Sequence, residues 1–225
     1  MLERMKTTVK DKAIKLWRRA NGQPKKMFNW YVLGNKATIP PDLYKQRMVK
    51  KIGRKSGIRV FVETGTYKGD MTLAASRVFE KVYSIELHKP FYDKAVERFA
   101  GNNRVEILYG DSASVVKDLM RKIDEPCVFW LDAHGGQASK DGAGIEGPAP
   151  VDPELRAILN HSKAAQHIIL IDDAHTFIRD QKWGKGVWGQ IENLRKEWLE
   201  KHPEWVWKIK DNVVHIYKTG NEQRS

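Results

Sequence analysis

From Ile58 onward the chain alternates short, continuously apolar runs with stretches whose apolar residues recur every three or four positions. The runs around Val60-Phe61-Val62, VYSIEL, RVEILYGD, CVFWLDAH and HIILIDDAH read as strands. The last two are too continuously apolar to face water on either side, as expected of strands in a parallel sheet covered on both faces. Between the runs lie helical patterns. Pro90 opens one, with Phe91, Tyr92, Ala95, Val96 and Phe99 on its apolar side, and a second runs through Val115, Val116, Leu119 and Met120. Asp152-Pro153 suits the cap and first turn of a third over Glu154 to Leu159, and Val187, Ile191, Leu194 and Trp198 mark a fourth. The segment WVWKIKDNVVHIYK then predicts a hairpin turning at Asp211-Asn212. Alternating βα units closed by a hairpin predict an α/β fold, a mostly parallel sheet with helices on both faces and a C-terminal antiparallel hairpin.

Charge divides the chain. Residues 1–60 hold 17 Lys or Arg against 3 Asp or Glu, whereas the other 165 residues carry 23 basic and 25 acidic side chains. Within the basic part Leu2, Met5, Val9, Ala13, Leu16 and Trp17 form a helical stripe that breaks at Asn21-Gly22 and Pro24. The organisation expected is therefore a basic N-terminal extension, residues 1–45, followed by one domain, residues 46–225. The stripe suits peripheral contact with an anionic membrane at its inner, cytoplasmic face. Packing on the domain explains it equally well, and nucleic-acid contact ranks third. No apolar run approaches the ~20 residues of a membrane span, and none has the form of a signal-peptide core. The single cysteine, Cys127, excludes an intrachain disulfide and suits a reducing cytoplasm, with a small buried core residue as its default role.

Candidate chemistry begins at VFVETGTYKGDMT, residues 60–72, where a short buried strand meets a glycine turn with an acid at the hinge. Gly65 and Gly69 leave backbone open for a ligand to lie against, and Glu86 closes the next strand 21 residues beyond Gly65, where a carboxylate can take both ribose hydroxyls. A dinucleotide fingerprint needs G-x-G-x-x-G to seat a pyrophosphate, but Thr66, Tyr67 and Lys68 crowd the middle of this turn. An adenosine with a compact charged tail fits better. The acid-x-G-x-x-x-G pattern resembles the first motif of class I S-adenosylmethionine-dependent methyltransferases, with Thr66 and Tyr67 where another glycine often stands.

The resemblance covers roughly residues 58–218 and implies a Rossmann-like fold and S-adenosylmethionine as cofactor. It implies a lining of Glu63, Thr64, Gly65, Thr66, Tyr67, Lys68 and Gly69 from the turn, with Glu63 and Gly65 beside the methionine part. Lys68 becomes a candidate partner of the cofactor carboxylate, with a solvated loop lysine as the equal alternative. Glu86 with Leu87 would hold the ribose, Asp111 with Ser112 the adenine amine, and Asp132 would complete the lining.

Asp132, Asp172 and Asp173 end two strands expected to be neighbours, and three converging carboxylates repel unless a cation neutralises them. Oxygen-only ligands suit Mg2+ or another hard divalent cation rather than zinc, with helix capping by Asp172 or Asp173 as the alternative. WLDAH and LIDDAH look like the metal-binding strand ends of the macrocin-type sugar O-methyltransferases. His134 and His175 each follow a strand-end aspartate by two positions, and either suits a base for a hydroxyl acidified by the metal. The alternatives for each are a metal ligand or a loop residue hydrogen-bonded to an aspartate. Gly135 to Pro150 has the length and composition of a lid, and Trp183 in KWGKGVWG could stack on a sugar ring, with a core or surface tryptophan as the commoner role.

The function expected is methyl transfer from S-adenosylmethionine to a hydroxyl of a saccharide or glycoconjugate. Other acceptors, such as a lipid, a small metabolite or RNA, are the alternatives within enzymes. A non-catalytic nucleotide-binding or membrane-associated module is the alternative outside them. Acids rather than bases at the strand ends argue against RNA, and oligomeric state leaves no mark in the sequence.

Overall fold

The computed structural model describes residues 39–133, 150–174 and 187–220, with side chains in the last of these from residue 192. The chain divides into two compact units, Met1–Met48 and Val49–Ser225. In the first, the described part reaches Pro41 and the opening of helix α1 (Asp42–Ser56), where Tyr44 N donates to Pro41 O at 2.8 Å. The N-terminal amphipathic stripe lies outside the described residues.

In the second unit the elements run β1 (Val60–Thr64), α2 (Asp70–Ala75), β2 (Lys81–Glu86), α3 (Lys89–Phe99), β3 (Val105–Tyr109), α4 (Ser112–Met120), β4 (Cys127–Leu131), α5 (Val151–Leu159), β5 (Ile168–Ile171), α6 (Val187–Lys201), β6 (Trp205–Lys210) and β7 (Val213–Lys218). A seven-stranded sheet in the order β3-β2-β1-β4-β5-β7-β6 joins them. The first five strands are parallel and β7 runs antiparallel to β5 and β6. The expected mostly parallel sheet with a terminal hairpin is therefore present. Every residue of β1, β4 and β5 is buried, which is why these strands read as unbroken apolar runs.

Alternation along the strands makes two faces. Val60, Val62, Phe129, Leu131, Ile169, Ile171, Val214 and Ile216 form one core with Val116 and Leu119 of α4, Leu155 and Ile158 of α5, and Leu194 of α6. The intervening residues Phe61, Val128, Trp130, Ile168 and Leu170 are equally buried on the other face. There Phe61 packs on Phe79 at 5.1 Å between ring centroids, and a Cβ at Gly53 would lie 2.6 Å from Phe79 Cζ. Asp211 and Asn212 both take positive φ, 52° and 62°, the backbone of the tight two-residue hairpin turn that the sequence suggested.

Local details differ from the sequence reading, β3 among them, which ends at Tyr109 rather than Asp111. Strand β1 runs through Glu63 to Thr64, because Thr64 still pairs with Ile85 and Leu131. Helix α5 starts at Val151 behind Pro150, so Asp152 sits inside its first turn and pairs with Arg156 instead of capping. Val96 is 44% exposed, since Phe91, Ala95 and Phe99 already fill the buried side of α3.

Candidate active site

Parallel strands put all five carboxyl ends on one edge, and the sheet order reverses direction between β1 and β4. Ligands in open α/β sheets bind at such a switch point. The turn after β1 is built there. Gly65 N donates to Ile85 O at 2.9 Å, and Gly69 N donates to Thr66 O at 2.7 Å. Gly65 takes φ +84°, and a Cβ on it would stand 2.7 Å from the Asp132 carbonyl oxygen. Only glycine lets this turn close against the end of β4. Tyr67, with a side chain, is also left-handed at φ 48°, a conformation that costs roughly 1–2 kcal/mol for a residue with a Cβ.

Glu86 offsets that cost. Its Oε2 accepts from Tyr67 N and its Oε1 from His88 N, both at 2.8 Å. Each carboxylate oxygen has a second lone pair for a ribose hydroxyl. Lys68 Nζ lies over the Tyr67 ring at 4.6 Å, while its backbone oxygen accepts from Arg98. Leu87, next along, is 37% exposed at the same edge.

Glu63 sits beneath the turn, 2% exposed. Its Oε2 accepts from Thr72 Oγ1 and from Ser84 Oγ, and Ser84 Oγ also lies 2.6 Å from Thr66 Oγ1. Burial pushes this carboxyl up to about 7 against the opposing pull of the Ser84 and Thr72 hydroxyls. The structure thus places Glu63 in a buried hydroxyl network that shapes the turn. Thr72 and Ser84, which escaped the sequence reading, complete that network.

Asp111 lies two residues past the end of β3, beyond Gly110, and caps α4 by accepting from Ser114 N at 3.2 Å. Ser112 beside it is buried. The residue that sequence reasoning missed altogether is Glu154. It is 0% exposed on α5, among Val151, Leu155 and Ile158, with the hydroxyls of Ser112 and Thr64 as its polar neighbours. Burial pushes its carboxyl up to about 8, with the Ser112 and Thr64 hydroxyls pulling the other way and the Asp111 charge adding to the rise. Those hydroxyls are near enough to act on the carboxyl, yet neither of its oxygens makes a hydrogen bond of ordinary geometry. The available signal was an acid on the apolar stripe 151, 154, 155, 158 of a helix.

The third corner is acidic. Asp132, Asp172 and Asp173 each bring one carboxylate oxygen within 4.8 Å of the others. Parallel pairing of β4 with β5 aligns them, and Asp172 N donates to Leu131 O while Asp132 N donates to Thr64 O, each at 3.0 Å. Asp173 is left-handed at φ 49°, its N–H held by Asp172 Oδ1 at 2.7 Å. The hairpin turn reaches back, Asn212 Nδ2 donating to Asp173 Oδ1 at 3.3 Å and Asn212 O accepting from Ala174 N at 2.9 Å. A hard cation about 2.3–2.6 Å from each ligand fits this spread, and a smaller one such as Mg2+, at about 2.0–2.1 Å, requires the oxygens to draw together. His134, His175 and Trp183 lie outside the described residues, as do residues 135–149 and 177–186 of the two loops.

No protein-family model matches the chain, and no curated protein matches its sequence. Solved structures do resemble it. The O-methyltransferase TomG from Streptomyces achromogenes, involved in tomaymycin synthesis and in complex with S-adenosylmethionine, aligns at TM-score 0.57 and 14% identity over 78% of this chain and 80% of that one. The methyltransferase PaMTH1 of Podospora anserina, bound to S-adenosylhomocysteine, aligns at 0.55 and 16% identity over 84% and 82%. An O-methyltransferase from Bacillus cereus in complex with S-adenosylhomocysteine aligns at 0.52 and 16% over 78% and 81%. The chain has the Rossmann-like methyltransferase fold. Its glycine turn, Glu86 and Asp111 therefore stand at the carboxyl edge of the same architecture, and Asp132 closes against the turn from β4.

Proposed function

We propose that the chain is an S-adenosylmethionine-dependent O-methyltransferase that uses a divalent cation, Mg2+ in the first instance, to orient an acceptor hydroxyl, with a saccharide or glycoconjugate as acceptor. The observation that carries this reading is the convergence of Asp132, Asp172 and Asp173 beside the Gly65 turn, so that a cation corner and a cofactor corner share the backbone of Asp132. The likeness to structures holding S-adenosylmethionine or S-adenosylhomocysteine supports the cofactor half. Bound there, a divalent cation would hold the acceptor oxygen and lower the pKa of its hydroxyl.

The residues divide the remaining work. The turn from Gly65 to Gly69 with Glu86 holds the cofactor, Asp111 and Ser112 face the adenine end, and the three aspartates fix the acceptor side. Bound there, S-adenosylmethionine would supply its methyl group to the acceptor oxygen and leave as S-adenosylhomocysteine, and the hydroxyl proton would pass to a base. We assign that base to His134 or His175. By holding the cofactor and the acceptor oxygen in fixed positions, the turn, Glu86 and the aspartates would supply most of the rate. The acidic rim, with Glu86, Asp111 and the aspartate cluster, repels a polyphosphate backbone and favours a neutral acceptor over RNA.

Purified protein given methyl-labelled S-adenosylmethionine, Mg2+ and a panel of saccharides, lipids, small metabolites and RNA tests this. Transfer to a saccharide that stops with excess chelator, while S-adenosylhomocysteine still binds, is the expected result. Transfer that is indifferent to chelator would remove the cation from the reading. Failure to bind S-adenosylhomocysteine would remove the methyltransferase activity itself.

A further inference from the structure

The cofactor and cation corners leave Glu154 without a role. A carboxyl that is wholly buried, without a hydrogen bond of ordinary geometry, is costly, and a leucine of similar size would fill the same space without that cost. Its position is informative. The two hydroxyls that act on it come from different strand ends: Thr64 closes β1, and Ser112 opens α4 after β3. Thr64 Oγ1 is itself an acceptor for Asp132 N at 3.3 Å, so its hydroxyl proton points elsewhere. Ser112 follows Asp111, the residue at the adenine corner. One side chain from α5 thus stands between the adenine corner and the strand end that leads into the cation corner.

Resting on the methyltransferase reading, we propose that Glu154 is a positioning residue that works as a neutral acid, joining the Ser112 and Thr64 hydroxyls so that the cofactor's adenine pocket and the Asp132 strand end are held in one geometry. The charges around it favour the neutral form. Asp111 from the β3–α4 connection acts on it directly and repels a carboxylate. On α5 the charged residues Asp152 and Arg156 pair with each other at 3.0 Å, and Arg156 also approaches Glu197 of α6 at 3.8 Å, so that arginine is engaged away from Glu154. A neutral acid offers one donor and one acceptor, which is what two hydroxyls need in order to be tied together. Burial, which holds the proton on up to about pH 8, agrees with that role. When the cofactor seats against Asp111 and Ser112, the same bridge transmits the closure to Thr64 and the backbone of Asp132.

The test uses the full chain, S-adenosylhomocysteine and calorimetry without added metal, comparing wild type with Glu154→Gln, Glu154→Leu and Glu154→Ala between about pH 6 and 9. Gln keeps a donor and an acceptor and cannot ionise. It should bind within about threefold of wild type at neutral pH, whereas wild type alone should lose about tenfold as pH passes through the ionisation of Glu154. Leu keeps the volume, and with a wild-type melting profile should still bind at least about tenfold more weakly. Leu binding like wild type, or Gln sharing the wild-type pH profile, would overturn the role of Glu154 while leaving the methyltransferase reading intact. Absence of S-adenosylhomocysteine binding by wild type at every pH would overturn both. Should Leu and Ala fail to fold, the pH profile of the Gln variant decides.

Discussion

Tyr67 donates its backbone N–H to Oε2 of Glu86 at 2.8 Å, so the acid that ends β2 also holds the left-handed residue in the turn after β1. One carboxylate therefore shapes the turn after β1, and in the proposed methyltransferase it would also take the ribose hydroxyls. Glu86→Ala should weaken S-adenosylhomocysteine binding by about 1.5–3 kcal/mol, the range for a charge-assisted hydrogen bond. Glu86→Gln, whose single carbonyl can serve only one of Tyr67 N and His88 N, should fall between. Calorimetry on both variants checks this, and wild-type affinity for Glu86→Ala would detach the residue from the cofactor.

Gly65 and Gly57 are both left-handed, at φ +84° and +69°, but only Gly65 has the Asp132 carbonyl in the way of a Cβ. Gly57→Ala should cost about 1 kcal/mol through backbone strain alone. Gly65→Ala should cost more, roughly 2–4 kcal/mol, because β1 and β4 must part at the site. Chemical denaturation of the two variants separates strain from crowding. Equal losses would mean the close approach is easily relaxed.

The aspartate cluster makes a prediction about stability as well as activity. Asp172→Asn keeps the oxygen that accepts from Asp173 N and removes one of three like charges, so without metal the variant should melt no lower than wild type. Saturating Mg2+ should raise the melting temperature of wild type and not of the variant, as a ligand bound only by the folded state must. A variant that still responds to Mg2+ would place the ion elsewhere.

Two buried groups give the pH dependence of stability opposite signs. His167 Nδ1 accepts from Cys127 N at 3.0 Å, so its proton sits on Nε2 and is donated to His161 Nδ1 at 2.9 Å. His161 Nε2 then donates to Ile123 O. Burial lowers His167 to about 3, so between there and its ordinary value near 6.5 the unfolded chain takes up a proton that the fold refuses, and stability falls as pH drops through that window. Glu154 is raised instead, from 4.5 to about 8, so the fold keeps a proton the unfolded chain has lost, and stability falls as pH rises through that window. Glu154→Gln should therefore stabilise by roughly 2–4 kcal/mol at neutral pH and by little below about pH 4.5, read from urea midpoints across pH. A gain independent of pH would mean the carboxyl is solvated.

The basic N-terminal segment carries a separate proposal, contact with anionic membrane through its apolar stripe. No helix among the described residues is long and apolar enough to cross a membrane. Binding to anionic vesicles should weaken with salt, since exposed charges are screened beyond ~10 Å at 0.1 M, and removal of residues 1–22 should abolish it while leaving turnover intact. Equal sedimentation with neutral vesicles would make the charge irrelevant.

Local pattern was enough for much of the fold. The unbroken runs at 60–64, 127–131 and 168–171 announced buried parallel strands because a strand covered on both faces has no polar side to show. Asp211-Asn212 announced the hairpin because few residue pairs tolerate two successive positive φ angles. Acids at Glu86, Asp132 and Asp172 marked the carboxyl edge of the sheet for the same reason: each closes an apolar run in a chain whose strands run parallel. What neither period nor spacing carries is which strand lies beside which. Sheet order sets Asp132 against Gly65 and beside Asp172, brings Asn212 of the hairpin to Asp173, and sinks Glu63 beside Ser84, with Thr72 added from α2. Glu154 is the clearest case. In sequence it is a glutamate in the first turn of a short helix; only the packing of α5 against α4 and the end of β1 removes it from water and leaves its carboxyl between two hydroxyls. Hydrophobic periodicity records how each element meets the core, whereas the meeting of polar groups from different elements depends on contacts dozens of residues apart, which only the folded chain creates.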